Sequence, residues 1–229
     1  MLLLRPFDFS GVEALTFDCY GTLIDWEAGI LSVIRPLLER YERPGVPDDE
    51  ILRLCGEFEA AAQVGGGTRH RDVLRFVLYD FASRFKVALA DALPHWKPFP
   101  EVDDALARLR QRLRLAVLSN IDDDLFAQAA RHFSVPFDEV VTAEQVGTYK
   151  PARGHFDEAL RRLGLPKEKV VHVGQSRRHD VAPCRALGWR VAWVNRPSAR
   201  PGSGPTIDDS SVPDLEVSDL MQLARIAVP

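Results

Sequence analysis

The sequence predicts an α/β protein, a doubly wound and mainly parallel sheet with an all-helical segment inserted after its first strand. Three observations carry this prediction. Short apolar runs alternate with helix-period segments from Pro98 to Val194, the rhythm of right-handed βαβ crossovers. A single apolar run over residues 14–18 precedes that region. Between the two, about seventy residues keep helical spacing and contain no strand candidate.

The elements follow in order. Residues 14–18 form a buried strand ending in an acid, and Gly21-Thr22 turns the chain. Ile30, Val33, Ile34, Leu37, Leu38 and Tyr41 recur at three- and four-residue intervals, and Pro36 predicts a kink or local break in that helix. Residues 51–62 form a second helix. Gly65-Gly66-Gly67 separates it from a third, whose apolar face holds Val73, Leu74, Phe76, Val77, Leu78, Phe81 and Phe85. Helices are then expected at 101–112, 123–133, 155–163 and 181–187, the last two stopped by Gly164 and Gly188. Strands are expected at 113–118, 137–142, 170–173 and 190–194. Residues 196–213, rich in Pro, Gly and Ser, read as an irregular loop, and 215–226 as a closing helix. The domain reading is a Rossmann-like α/β core from 1–25 and 97–229 and a helical cap domain from 26–96.

Composition narrows the function classes. The 229 residues are 46% hydrophobic and 27% charged, a balance that builds a core and excludes a low-complexity chain. Lys+Arg 29 against Asp+Glu 33 gives a net charge of −4, which argues against general nucleic-acid binding. Cys19, Cys55 and Cys184 are too scattered for a disulfide framework and form no CxxC pair, so reduced buried thiols are expected. The first apolar run breaks at Arg5-Pro6, too early for a signal peptide, and nothing approaches the roughly 20 apolar residues of a membrane span. A cytoplasmic protein with no nucleic-acid or membrane partner is the expectation.

In doubly wound sheets, ligands bind beyond the carboxyl ends of the strands. Here such ends carry Asp18, Ser119-Asn120, the loop holding Lys150, and the segment from Gly174 to Asp180. One acid after a strand is usually a turn former or helix cap. A polar or ionisable group at each of several strand ends points to a site.

These residues resemble the haloacid dehalogenase superfamily of hydrolases. Phe17-Asp18-Cys19-Tyr20-Gly21-Thr22-Leu23-Ile24-Asp25 is similar to its first motif, with Asp18 as nucleophile; Leu118-Ser119-Asn120 is similar to the second, Tyr149-Lys150-Pro151 to the third, and Gly174-Gln175-Ser176-Arg177-Arg178-His179-Asp180 to the fourth. The helical insert falls where the superfamily carries its cap. Most members are magnesium-dependent phosphatases with a second aspartate two residues after the nucleophile and an aspartate opening the fourth motif. Here those positions are Tyr20 and Gln175. Magnesium prefers hard anionic oxygens, so losing these carboxylates weakens its hold. With Asp18 and Asp180 as the remaining pair, Lys150 can supply the compensating charge, and the site reads as metal-free with no cofactor.

That pattern resembles the L-2-haloacid dehalogenase (type II) branch. The resemblance implies that Asp18 displaces the halogen of a small 2-haloalkanoic acid, forming an aspartyl ester that water then hydrolyses. Halide leaves without a proton, so Tyr20 in place of an acid costs nothing, whereas an alkoxide leaving group forgoes general-acid help worth roughly 10²–10⁴-fold. Lys150 would hold Asp18 ionised, and Asp180 would position or deprotonate the water. Thr22, Ser119 and the backbone at Tyr20 would bind the carboxylate or the ester oxyanion. Asn120 would join the halide cradle, and an arginine of the cap would cover the halide, with Arg71 favoured over Arg53 and Arg69. Tyr20, Trp26, Gln175 and Ser176 are expected at the substrate, with a hinge-packing role for Trp26 equally open. The carboxylate substrate is the expected partner, and a homodimer is the oligomer the resemblance suggests.

Departures from the branch pattern bear on the second half-reaction. Its members commonly have serine at 175, asparagine at 177 and tyrosine at 156, where this chain has Gln175, Arg177 and Phe156. Arg177 and Arg178 either add positive charge near the carboxylate or face solvent. Two alternatives therefore stand beside dehalogenation, a magnesium-dependent phosphatase and a low-turnover binding protein with this fold. Other features take simpler readings. Cys19 points away from Asp18 by strand alternation, the glycine run is a turn, no His-x-x-x-His pair suggests zinc, His179 supports rather than reacts, and Asp122-Asp123-Asp124 caps the next helix.

Overall fold

The computed structural model describes residues 7–40, 45–62, 93–196 and 209–229. Six strands form one all-parallel sheet: β1 (Ala14–Phe17), β2 (Arg114–Ser119), β3 (Glu139–Thr142), β4 (Val170–Gly174), β5 (Arg190–Val194) and β6 (Leu215–Val217), in spatial order β3-β2-β1-β4-β5-β6. β1 is fully buried, as are β4 and all of β2 after Arg114, so these strands read as continuous apolar runs rather than alternating ones. The strand order reverses at β1, which lies between β2 and β4. In register, Phe17 faces Val117 on one side and Val173 on the other. The carboxyl ends of these three strands therefore come out abreast, at the switch point where doubly wound sheets bind ligands.

Helices α1 (Trp26–Arg40) and α2 (Asp48–Ala62) follow β1, and α3 (Val102–Arg110) leads into β2. Ile30, Leu31 and Ile34 of α1 and Ile51, Leu52 and Cys55 of α2 share one apolar cluster with Phe17, Leu23, Ile24 and Trp96. The expected break at Pro36 does not occur. α1 runs on to Arg40, because the ring removes only one backbone donor, while Ile30, Leu31 and Ile34 before it are buried and Leu38 beyond it packs half-buried against the same cluster. The third helix expected in the insert, the glycine run before it, and Arg69 and Arg71 lie outside the described residues.

The remaining helices are α4 (Asp123–Ala129), α5 (Ala143–Val146), α6 (Gly154–Leu163), α7 (Ala182–Leu187) and α8 (Leu220–Ala227). α7 is preceded by a wide π turn over Arg177–Val181. Gly164 and Gly188 end α6 and α7 in the left-handed conformation, at φ +64° and +71°. Two expectations need correction. Residues 215–226 are not one helix, since Leu215–Val217 pairs with β5 as the edge strand. Asp219 then caps α8, accepting the Gln222 N–H at 2.7 Å. The acids at 122–124 stand where they were expected, Asp122 at the N-cap of α4 and Asp123 and Asp124 in its first turn, but not as a side-chain cap. Asp122 makes no side-chain cap bond, and Glu144 Oε2 accepts the Asp123 N–H at 2.9 Å from a neighbouring helix. Cys19, Cys55 and Cys184 are free and buried. Among the described residues, no helix is long and apolar enough to cross a membrane.

Candidate active site

The site forms where the chain leaves β1, β2 and β4. Asp18 directly follows β1, and its N–H donates to Val173 O at 2.8 Å, which fixes it beside the end of β4. The chain then doubles back. Leu23 and Ile24 N–H both reach Cys19 O, at 2.7 and 3.0 Å, and Gly21 takes φ +92°. A Cβ on Gly21 would stand 3.1 Å from Trp26 Nε1 and 3.2 Å from Gln175 Oε1, so the conformation calls for glycine and any larger residue would also push on both side chains. The turn brings Thr22 back to Asp18. Its Oγ1 donates to Asp18 Oδ2 at 3.0 Å while accepting the Gln175 N–H at 2.8 Å.

Lys150 arrives on the loop after α5. Asn120, just past β2, accepts its N–H at 2.6 Å and donates to its carbonyl at 3.1 Å. The ammonium is buried and uses all three of its protons, reaching Asp18 Oδ1 at 2.8 Å, Leu118 O at 2.8 Å and Asp180 Oδ1 at 2.7 Å. Asp180 itself sits in the π turn, where Oδ2 accepts the Ser176 N–H at 3.1 Å and Oδ1 also takes a bond from His172 Nε2 at 3.2 Å. Asp18 is 13% exposed, against 1% for Lys150 and 0% for Asp180, so of the three it is the most open to a solute.

The charges of the triad act on one another. Burial works to lower the Lys150 pKa, but the two carboxylates outweigh it and hold the ammonium protonated far into the alkaline range. Burial works to raise Asp180, but Lys150 and the His172 hydrogen bond hold that carboxyl below the usual range. For Asp18, burial together with the nearby Asp180 charge prevails over Lys150, and its carboxyl is raised. Three charges summing to −1 share this pocket, and the accessible one is the least comfortable as an anion.

The structure brings together Asp18, Thr22, Lys150 and Asp180 from the sequence-expected set. Ser119 is buried, its carbonyl bonded to His155 Nε2 at 3.1 Å. Asn120 is committed to the Lys150 backbone. The Tyr20 hydroxyl is buried and has no hydrogen-bond partner among the described residues, and its ring meets Trp96 edge-on at 6.1 Å. Trp26 and Gln175 close over the Gly21 turn. The Ser176 hydroxyl caps the π turn, accepting the His179 N–H at 3.0 Å. Arg53 is exposed on α2 and pairs with Glu57, outside the triad, and Arg71 lies outside the described residues. Arg178 is exposed to solvent, and Arg177 is half-buried. The Arg177 side chain lies over the Trp193 ring at 4.0 Å and donates to Asp209 O. Phe156 is buried between His172 and Trp189, each ring 5.4 Å away. Burial drops the His179 pKa to about 4.

Sequence reasoning missed Thr16, His155 and His172. All three are fully buried, and the signal was present, since Thr16 and His172 are polar residues inside apolar strands. Among the described residues, no group of three or more His, Cys, Asp or Glu is arranged to hold a metal ion.

Residues 15–194 match the family model described as haloacid dehalogenase-like hydrolase. An (S)-2-haloacid dehalogenase of Pseudomonas sp. (strain YL) is 27% identical over 94% of this chain and 94% of its own length. A glyceraldehyde 3-phosphate phosphatase of Methanothermobacter thermautotrophicus is 29% identical over 80% of this chain and 86% of its own. The crystal structure of an L-2-haloacid dehalogenase superposes with a TM-score of 0.74 at 27% identity, covering 93% of this chain and 97% of that one.

Proposed function

The chain belongs to the haloacid dehalogenase-like hydrolases, and from that premise we propose that it hydrolyses the carbon–halogen bond of small 2-haloalkanoic acids through an ester on Asp18, without a metal ion. One observation carries the reading. The Lys150 ammonium stands 2.8 Å from Asp18 and 2.7 Å from Asp180, between the two carboxylates that a divalent ion would otherwise bridge. Magnesium asks for near-octahedral hard oxygen ligands. The residues here do not fit it. Each acid already gives an oxygen to Lys150, position 20 is tyrosine, and position 175 offers only an amide.

In this reading an Asp18 oxygen forms a bond to the carbon bearing the halogen as the carbon–halogen bond breaks, and the electron pair leaves with the halide. No proton is needed at that step. Water then adds to the ester carbonyl carbon. One of its protons passes to Asp180 and on to solvent. As the tetrahedral species collapses, the bond from the carbonyl carbon to the ester oxygen breaks and the other proton moves from the added oxygen to that departing oxygen. The Asp18 carboxylate is restored as the 2-hydroxy acid leaves. Lys150 and Thr22 orient Asp18 for the attack, and Lys150 offsets its charge. Residues 26–96 act as the cap that closes over the substrate, with Arg71 as the cap cation proposed for the halide. Donors at the ends of β1 and β2 receive the substrate carboxylate.

The phosphatase relative favours a second reading, magnesium-dependent phosphate-ester hydrolysis. The two part in a direct assay. Halide release from 2-chloropropionate that survives a chelator supports the proposal. Cleavage of p-nitrophenyl phosphate that is lost with chelator and restored by magnesium, with no halide released, replaces it with the second reading.

A further inference from the structure

We propose that His172 and Thr16 form a positioning pair that selects the oxygen of Asp180 able to receive the proton of the hydrolytic water. This rests on the dehalogenase reading and deepens its second half-reaction. Thr16 and His172 are register partners on the adjacent strands β1 and β4. By alternation Thr16 shares a sheet face with Asp18, and His172 with Gly174, which places both one step below the site. Thr16 Oγ1 lies 2.8 Å from His172 Nδ1, and His172 Nε2 lies 3.2 Å from Asp180 Oδ1, with all three residues fully buried.

A carboxylate only accepts, so Nε2 must carry a hydrogen. In the neutral ring Nδ1 is then the acceptor, and the Thr16 hydroxyl donates to it, holding that tautomer. Each oxygen of a carboxylate has about two lone-pair sites. Oδ1 fills both, with Lys150 and His172. Among the described residues Oδ2 accepts only the Ser176 N–H, which leaves it one site. Without His172 the carboxyl loses its second anchor on Oδ1, and the oxygen left for water is no longer fixed. His172 touches no reacting atom in this scheme and acts through Asp180 alone.

Because Asp180 enters after the ester has formed, the pair bears on ester hydrolysis and not on halide displacement. The test follows halide release before the steady state, together with intact mass, using 2-chloropropionate and the full chain as wild type, His172→Leu, His172→Gln and Thr16→Val. In His172→Leu the first-turnover halide burst should stay near the wild-type rate. Steady-state turnover should fall roughly tenfold or more, part of what general-base catalysis supplies, and an ester should accumulate on Asp18. His172→Gln, whose amide can donate to Asp180 and accept from Thr16, should recover most of the turnover. Thr16→Val should accumulate a smaller amount of ester. Wild-type turnover in His172→Leu, or burst and turnover slowed together with no ester, overturns the proposal. If His172→Leu fails to fold by circular dichroism, Thr16→Val decides, and absence of ester there overturns it. No halide from the wild-type protein overturns the dehalogenase reading and this inference with it, whereas wild-type turnover with unaffected variants overturns the inference alone.

Discussion

Asn120 grips Lys150 by its backbone, accepting the N–H at 2.6 Å and donating to the carbonyl at 3.1 Å, so the end of β2 sets where a lysine thirty positions later stands. Its place between two acids is therefore decided by an amide that carries no charge. Asn120→Ala frees both backbone groups and lets the ammonium drift. Displacement of a group in the reacting array by an ångström costs about 10²-fold, and a fall in kcat approaching that size, larger than the change in KM, is expected from steady-state kinetics.

Removing Lys150 leaves two buried carboxylates facing each other. Breaking a buried ion pair from one side costs about 3–5 kcal/mol, so Lys150→Met should unfold at markedly lower denaturant concentration at neutral pH. Without the ammonium both carboxyls rise, so the loss should shrink as pH falls and they protonate. Denaturant titrations at pH 7 and near pH 4 check the size and the sign.

Asp18 carries the opposite signature. Its carboxyl is raised in the folded protein by burial and by Asp180. The folded state thus binds more protons than the unfolded one above the ordinary carboxylate pKa, and stability falls as pH rises through that window. Asp18→Asn removes this cost. It should melt higher than wild type at pH 7, by roughly 2–4 °C if the gain is near 1 kcal/mol, with the gain fading toward the ordinary carboxylate range. It should have no activity. The acid limb of wild-type turnover should lie above the ordinary carboxylate pKa, because attack needs the anion.

Much of this was legible in the chain. Lone apolar runs ending in Asp18, Ser119 and Gly174 gave the strands because the inner sheet is buried on both faces, and Gly164 and Gly188 marked helix ends through their left-handed conformation. Asp18, Lys150 and Asp180 were visible as polar groups at or just beyond strand ends, and Thr22 through the resemblance of the first motif. Leu215–Val217 was not, since three residues are too few for a period and the edge strand is defined by its pairing to β5. Thr16 and His172 were passed over for a related reason. They become a pair through register between strands more than 150 residues apart in sequence, which no local pattern records. The stacking of Arg177 on Trp193 was not legible either, because the two meet only once β5 is in place.

Gly174 makes room for Asp180. A Cβ there would come within 2.4 Å of the Asp180 Cγ and Oδ2, and that carboxylate is held by three hydrogen bonds. Gly174→Ala should therefore displace Asp180, destabilise by about 1–3 kcal/mol through overpacking, and abolish most turnover. Gly164→Ala is the control. Its φ of +64° makes alanine cost about 1 kcal/mol or more, but its Cβ meets nothing within 4 Å and it ends α6 away from the site, so activity should persist.

The central claim is that Asp18 attacks carbon while a lysine does the work of a metal ion. The most direct measurement is peptide mass spectrometry of chelator-treated protein quenched during turnover of 2-chloropropionate. The account predicts a propionate adduct on Asp18 and continued halide release. Halide release that stops with chelator and returns with magnesium, or turnover with the adduct absent or on another residue, would contradict it.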